Sequence, residues 1–457
     1  MSKQLFGEFE PVSSKQWKQQ IQFDLKGDDY NDTLVWSSPE DIKVKPFYHA
    51  DASEVPLPVA THASSSKICQ DIFVFDLDIS IYRANDAVQR GAESLSFTIE
   101  DEQTDVKKLL ESLPLEKITV YFHLQFLSID FVKAIDIIAT AQNAEIYCNI
   151  DPVGHLTQDG NWFENLEKDF NHLNTIVKTV QSVKIVSVDA AHYQNAGANF
   201  VQQIAYALAH ANEYFNRIEV LKQPLTFQVA VGTNYFFEIA KLRALRLLYN
   251  ITAKEYGITT DCHIFARPSK RNKTLYDYNV NMLRTTTESM SAILGGANAV
   301  SNMPYDALYH KNNEFGDRIS RNQLLVLKNE CYFGKVDNPA DGAYYIESLT
   351  RQLAEKGLAL FKDIEENGGF LKLLKDGTIQ KKIQESAAKE QELFDNGKEI
   401  LLGTNKYPNK NDRMAHDLEL FPFVKMKPRK TLITPIIAKR LAEKMEQERL
   451  ESEKLNP

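Results

Sequence analysis

The sequence predicts an α/β chain built on a (β/α)₈ TIM barrel, with an extended N-terminal arm and extra C-terminal helices. Two observations carry this. Eight short apolar runs follow one another between residues 72 and 302, most of them separated by helix-period segments, and strands alternating with helices imply a parallel sheet. The chain also has 457 residues, too many for one ordinary domain but suited to a barrel of roughly 250 residues with additions. The expected parts are an arm and linker over 1–65, a barrel over 66–310, helices packed on it over 311–400, and a helical tail over 401–457.

In the arm, Trp17 to Leu25 has a helical pattern that stops at Gly27, and Pro39, Pro46, Pro56 and Pro58 break regular structure. The expected strands are Ile72–Leu77, Leu95–Ile99, Ile118–His123, Glu145–Ile150, Val183–Val188, Leu225–Val231, His263–Phe265 and Ala299–Asn302. Phe236–Tyr256 shows the helical spacing between them most clearly. Beyond residue 303, Asp317–Tyr332 and Ile346–Asn367 read as long helices, the second ended by Gly368-Gly369. Residues 371–400 are helical and Lys-rich, a pattern that fits a solvated surface. In the tail, Ile436, Ile437, Leu441 and Met445 follow Pro435 at helical spacing. Both a solvated terminal helix and a partner-docking arm fit that pattern.

Composition excludes some classes. The chain is 43% hydrophobic and 25% charged with net charge −9, so a large core is expected and nucleic acid is disfavoured as a partner. No run of about 18 apolar residues occurs, and the N-terminus has no signal-like apolar core, so neither membrane nor export is expected. Cys69, Cys148, Cys262 and Cys331 lack metal-type spacing and read as reduced thiols of a cytoplasmic protein.

Several segments in order resemble the methylmalonyl-CoA mutase family. Arg284-Thr285-Thr286-Thr287-Glu288-Ser289, followed by Gly295-Gly296-Ala297-Asn298, looks like that family's approach to the eighth strand. Arg318-Ile319-Ser320-Arg321-Asn322 is similar to its Arg-Ile-x-Arg-Asn helix, and Asp337 to Glu347 to its Asp-Pro-x-x-Gly-Ser-x-x-x-Glu segment, with one inserted residue and Ala343 for the Ser. Glu365-Glu366-Asn367-Gly368-Gly369 matches its Glu-Glu-x-Gly-Gly stop, and Trp17, Asp24-Leu25-Lys26-Gly27, Trp36, Pro46 and Tyr48 resemble its arm.

The resemblance implies a barrel that binds acyl-CoA along its axis and a separate domain carrying adenosylcobalamin, the source of the radical chemistry. The parts that chemistry needs are largely altered here. Only Asp261-Cys262-His263 has the spacing of the family's Asp-x-His-x-x-Gly cobalt-ligand motif, and Ala266 replaces its Gly, so His263 reads as a barrel residue. The residues after Phe370 lack the pattern of a cobalamin domain. No cofactor is expected on this chain, and adenosylcobalamin is expected in the partner subunit. His192 falls where the family places a thioester-binding His, but Ala191 and Asn195 replace the neighbouring aromatic and Glu, so it reads as a vestige. An acidic loop, Glu100 to Asp105, stands where an aromatic loop is expected. The family's Gln-Thr-Ser-Gly-Trp segment is replaced by Arg267-Pro268-Ser269-Lys270-Arg271, in which Arg267, Lys270 and Arg271 could grip CoA phosphates or, as we favour, touch another subunit.

The implied function is therefore a non-catalytic small subunit. Its partner would be a large catalytic mutase subunit in a heterodimer, with acyl-CoA met only through the complex. The alternative is the barrel half of an active acyl-CoA mutase whose cobalamin domain is a separate chain; a barrel that senses acyl-CoA is a third. The first reading expects an axis filled by large side chains, with Phe97 or Phe227 as candidates; the second expects an open channel lined by Ser and Thr.

Overall fold

The structure is a computed structural model, described for residues 8–455 except 53, 54, 220, 222, 426 and 427. The first seven residues of the expected arm therefore lie outside the described residues.

Eight parallel strands close into a barrel. They are β1 (Lys67–Phe73), β2 (Ser94–Ile99), β3 (Thr119–Leu124), β4 (Glu145–Ile150), β5 (Lys184–Asp189), β6 (Thr226–Val231), β7 (His263–Pro268) and β8 (Ala299–Ser301). Closure is made by β8, whose Ala299 pairs with Lys67 of β1 on one side and Phe265 of β7 on the other. Two strands differ from expectation. The first lies five residues earlier, because Asp76 caps a helix that begins at Leu77, its side chain accepting from the Ile79 N–H. The seventh runs on to Pro268, because its pairing with β6 continues through Ala230↔Arg267 and Val231↔Pro268.

The crossover helices start where the sequence supplies caps. Ser128 accepts from Phe131, Asn165 from Lys168, and Asn199 forms a reciprocal box with Gln202. Asp151 caps a helix with Pro152 in its first turn, where a missing N–H costs nothing. Outward-facing strand residues such as Leu95, Phe97, Val120, Phe122, Ile146 and Phe227 join the main core beneath these helices.

In the arm, a helix over Ser14–Asp24 ends as Lys26 and Gly27 take left-handed φ of 53° and 110°. Trp17 stacks on Phe47 at 4.4 Å, and Tyr48 packs against Tyr345 at 5.0 Å, so the arm lies against helix Tyr344–Glu366. That helix also packs on Phe200–Arg217 and Tyr235–Glu255. Helix Glu314–Asn329 covers β1, and the Lys-rich stretch forms two helices, Phe370–Lys375 and Thr378–Asp395. Among the described residues of the tail, helix recurs only at Glu443–Leu455, and most of those in 401–442 are irregular, whereas a helical tail is expected from the sequence.

Helix Tyr235–Glu255 is enclosed by these neighbours, yet it carries Glu238, Lys241, Arg243 and Arg246, all at most 2% exposed. Each charge is matched. Arg243 pairs with Asp341 and with Glu347 at 2.8 Å, Lys241 with Glu238 at 2.5 Å, and Arg246 with Asp261 at 2.6 Å and the carbonyls of Cys262 and Gly296. Segments that carry the family resemblance are thus braces: Asp341 and Glu347 hold Arg243, while Glu288 holds Lys273 at 2.7 Å and Asn272 at 2.6 Å.

Candidate functional site: the barrel axis and its C-terminal mouth

Chemistry in such barrels occurs at the C-terminal ends of the strands, and the interior is layered from the opposite end up to that mouth. At the N-terminal end, Lys67 meets Glu145 at 2.7 Å, and Glu145 also accepts from Thr119 at 2.6 Å. Burial opposes ionisation of Glu145, but the bonds from Lys67 and Thr119 outweigh it and hold the carboxyl at about 2.

Above this pair the axis is aromatic. Tyr121, Tyr147 and Phe265 form a buried cluster with Cys69 and Ala299. The Tyr121 ring lies 5.0 Å from Tyr147 and 4.7 Å from Phe265. His263 fills the gap, its ring 4.3 Å from Tyr147 and its Nε2 2.9 Å from the Tyr121 hydroxyl. The axis is therefore filled, but by other residues than Phe97 and Phe227. Those two face outward, Phe97 toward Phe122 and Phe227 toward Tyr249. The Asp261-Cys262-His263 group does not fit a cobalt ligand, because half-buried His263 opens β7 at the N-terminal end of the barrel and is packed on Tyr121 and Tyr147, its Nε2 already bonded to the Tyr121 hydroxyl.

A charged layer covers the aromatic one. Arg267 lies over the Phe265 ring at 4.4 Å and grips Asp71 with two bonds of 3.0 and 3.1 Å. It also donates to Ser96 at 3.0 Å and to His123 Nε2 at 2.9 Å. Burial, then the Arg267 charge, pushes His123 down to about 3; burial likewise pushes His263 to about 3. Burial would raise Asp71, but Arg267 and Ser96 hold it at about 2.

A pH dependence follows from these groups. A buried neutral histidine disfavours protonation when folded, so its contribution is present above the unfolded value of 6.5 and is lost as pH falls toward 3. Asp71 and Glu145 act in the same direction below about 4. Urea unfolding is expected to show stability falling from pH 6.5 downward, by up to ~1.4 kcal/mol per pH unit for each histidine. His263→Gln should flatten that slope between pH 6 and about 4.

The structure separates the basic residues of the seventh loop. Arg267 is inside β7 and committed to the axis. Arg271 is 7% exposed and binds Glu390 and the Lys439 carbonyl. Lys270 alone stays open at the rim, its backbone N–H bonded to Asn195 at 2.9 Å. The three do not form one cationic loop.

His192 sits on a short helix, Ala191–Asn195, just past β5. Its Nε2 is buried without a partner, and the backbone of Ile436 lies against the ring. Burial, opposed by the Asp189 charge, pushes His192 down; burial raises Asp189, so both tend toward their neutral forms. Beside them lies a network that sequence reading did not find. Asp151 accepts from the N–H groups of Gly154 and Asp189, each at 2.7 Å, from His210 at 2.8 Å, and from the Tyr214 hydroxyl; Tyr193 meets the other nitrogen of His210 at 2.9 Å. Nothing local signals it, since Asp151 and His210 are 59 residues apart.

The tail straps this side of the mouth. Leu432 and Ile433 donate to the Gly160 carbonyl, Ile436 to Thr157, Lys439 to Asn195 and Leu441 to Arg271. Ile433, Ile436, Leu441 and Ala442 are buried, and Leu275 N–H donates to Glu446 at 2.7 Å. Of the two readings of the tail, a simply solvated helix does not describe it: the tail is bound to the loops after β4, β5 and β7. At the mouth above the filled axis, Arg267 is the guanidinium that faces the strand ends. That guanidinium and the Asp71 carboxylate are already engaged with each other.

A family model described as methylmalonyl-CoA mutase matches residues 95–451. The chain belongs to the methylmalonyl-CoA mutase family. Among its mutase relatives, the methylmalonyl-CoA mutase small subunit of Porphyromonas gingivalis is 31% identical over 89% of this chain and 71% of its own length. The methylmalonyl-CoA mutase of Cereibacter sphaeroides is 31% identical over 67% of this chain and 46% of its own length, and that of Rhizobium meliloti 27% over 85% and 63%. The chain thus spans less than two thirds of these two mutases. Among the described residues of this mutase-family chain, no helix is long and apolar enough to cross a membrane.

Proposed function

We propose that this chain is the non-catalytic small subunit of a heterodimeric, adenosylcobalamin-dependent methylmalonyl-CoA mutase, in the cytoplasm. The large partner subunit carries the cofactor and interconverts methylmalonyl-CoA and succinyl-CoA; this chain stabilises it. The filled axis is the observation that carries the reading. Tyr121, Tyr147, Phe265 and Arg267 stand where an acyl-CoA threaded through a barrel would run, and displacing them would break a packed, hydrogen-bonded core. The similarity to a protein named as a small subunit supports the same reading. The N-terminal arm and tail remain candidates for partner contact.

The test is turnover of methylmalonyl-CoA with adenosylcobalamin, for the chain alone and mixed with the cobalamin-domain-bearing mutase subunit of the same organism. Activity confined to the mixture, in a one-to-one complex that unfolds at higher temperature than the large subunit alone, is expected. Turnover by this chain supplemented with only a small cobalamin-binding protein would overturn the reading in favour of a working barrel half.

A further inference from the structure

Away from the mouth, a cleft of about 250 Å³ lies between helices Leu77–Gln89 and Glu314–Asn329. Ile79, Tyr82, Arg83, Asp86 and Arg90 line it from the first helix at the spacing of a single face. Arg318 and Arg321 line it from the second. Two of its apolar lining residues are open to water, Tyr82 at 72% and Ile79 at 59%; Phe315, on the second helix, is 51% exposed, and Phe75, just ahead of the first helix, 93%.

The charges in the cleft are unevenly paired. Asp317 is taken by Arg83, and Asp86 by Arg90 at 2.7 Å. Arg318 lies over the Phe315 ring at 5.5 Å, with no carboxylate in contact among the described residues. Arg321 is 4% exposed, bonds the Gln70 side chain at 2.9 Å, and leaves its Nε buried without a partner. Burying a guanidinium without a contacting carboxylate is costly. The lining as a whole holds four arginines, Arg83, Arg90, Arg318 and Arg321, against three carboxylates, Asp86, Glu314 and Asp317, and an excess of arginine beside exposed aromatic and aliphatic side chains matches the composition of protein-interface hot spots.

We infer that this cleft is the docking site for an element of the large mutase subunit that presents a carboxylate flanked by apolar side chains. The inference rests on the accessory-subunit reading above and adds where the two subunits meet. The incoming carboxylate meets Arg318, which is exposed, and the apolar side chains cover Tyr82 and Ile79.

The experiment measures the affinity of the full chain for the cobalamin-domain-bearing mutase subunit of the same organism, by sedimentation. The variants are Tyr82→Ser, Arg318→Glu and both together. Ile137→Ser, at a 70% exposed position on helix Ile129–Gln142, serves as control. Each cleft variant is expected to raise Kd about tenfold or more, with the melting temperature of the isolated chain unchanged and the control within about twofold of wild type. If wild type forms the complex and the cleft variants bind equally well, the inference fails and the accessory-subunit reading stands. If wild type forms no complex, both fail. Saturable binding of inorganic phosphate or succinate that Arg318→Glu abolishes, with the complex unaffected by the variants, would instead make the cleft a small-anion site and overturn the inference.

Discussion

Phe265→Ala is expected to lower the free energy of unfolding by about 3–5 kcal/mol, among the largest single effects in the molecule. The ring is fully buried at the centre of the barrel, with Tyr121 on one side and the Arg267 guanidinium over its face. Truncation removes the transfer free energy of the ring and leaves a cavity that rigid parallel strands cannot collapse around. Tyr121→Ala should cost a similar amount and also strip His263 of its hydroxyl partner. Because the two rings touch, the double variant will not show the sum of the single effects. Chemical unfolding followed by circular dichroism measures all three. The variants that still fold should gain space on the axis but no mutase turnover alone, since opening a cavity supplies neither the cofactor nor groups placed to use it.

Arg243→Ala is expected to cost about 3–5 kcal/mol for a different reason. Its guanidinium is fully buried and answers two carboxylates, Asp341 and Glu347, and Glu347 is only 5% exposed. Removing the cation strands Glu347 as a buried charge. The damage should spread, because Glu347 also accepts from the N–H groups of Gly342 and of Leu57, and so pins the linker that follows the arm. Arg243→Lys should lie between wild type and alanine, since an ammonium keeps the charge but cannot span both acceptors as a planar fork does. Thermal melts rank the three proteins. Limited proteolysis near residue 57 reports whether the linker loosens.

Much of this fold was legible in the sequence, because helix–strand alternation survives in the pattern of apolar residues. β4 matches its expected range and β2, β3 and β6 fall within a residue of theirs. The sequence pattern misplaces β1 because Lys67, Gln70 and Asp71 break its apolar run, while Phe73 to Leu77 beyond it look strand-like. Orientation was the harder problem. A strand offers alternate residues to opposite faces, and nothing in the Phe97 or Phe227 segments says which face is the axis; both rings went to the helix side, and the axis received Tyr121, Tyr147 and Phe265. Arg267 reads as a loop cation because the apolar pattern of β7 ends at Phe265, three residues before the strand does. The buried pairing of Arg243 is invisible for a related reason: its partner Glu347 lies about a hundred residues away and meets it only through tertiary packing. The family motifs were easy to see, and several of them turn out to brace the scaffold.

Closure of the barrel axis to acyl-CoA can be checked by titration calorimetry of methylmalonyl-CoA into the isolated chain. With a filled axis, no saturable binding is expected at concentrations up to about 1 mM, equivalent to less than about 4 kcal/mol of binding free energy. Saturable micromolar binding that weakens when Ser96 or Gln228, on the inner wall, is enlarged to Trp would contradict that closure and place a working ligand channel inside the barrel.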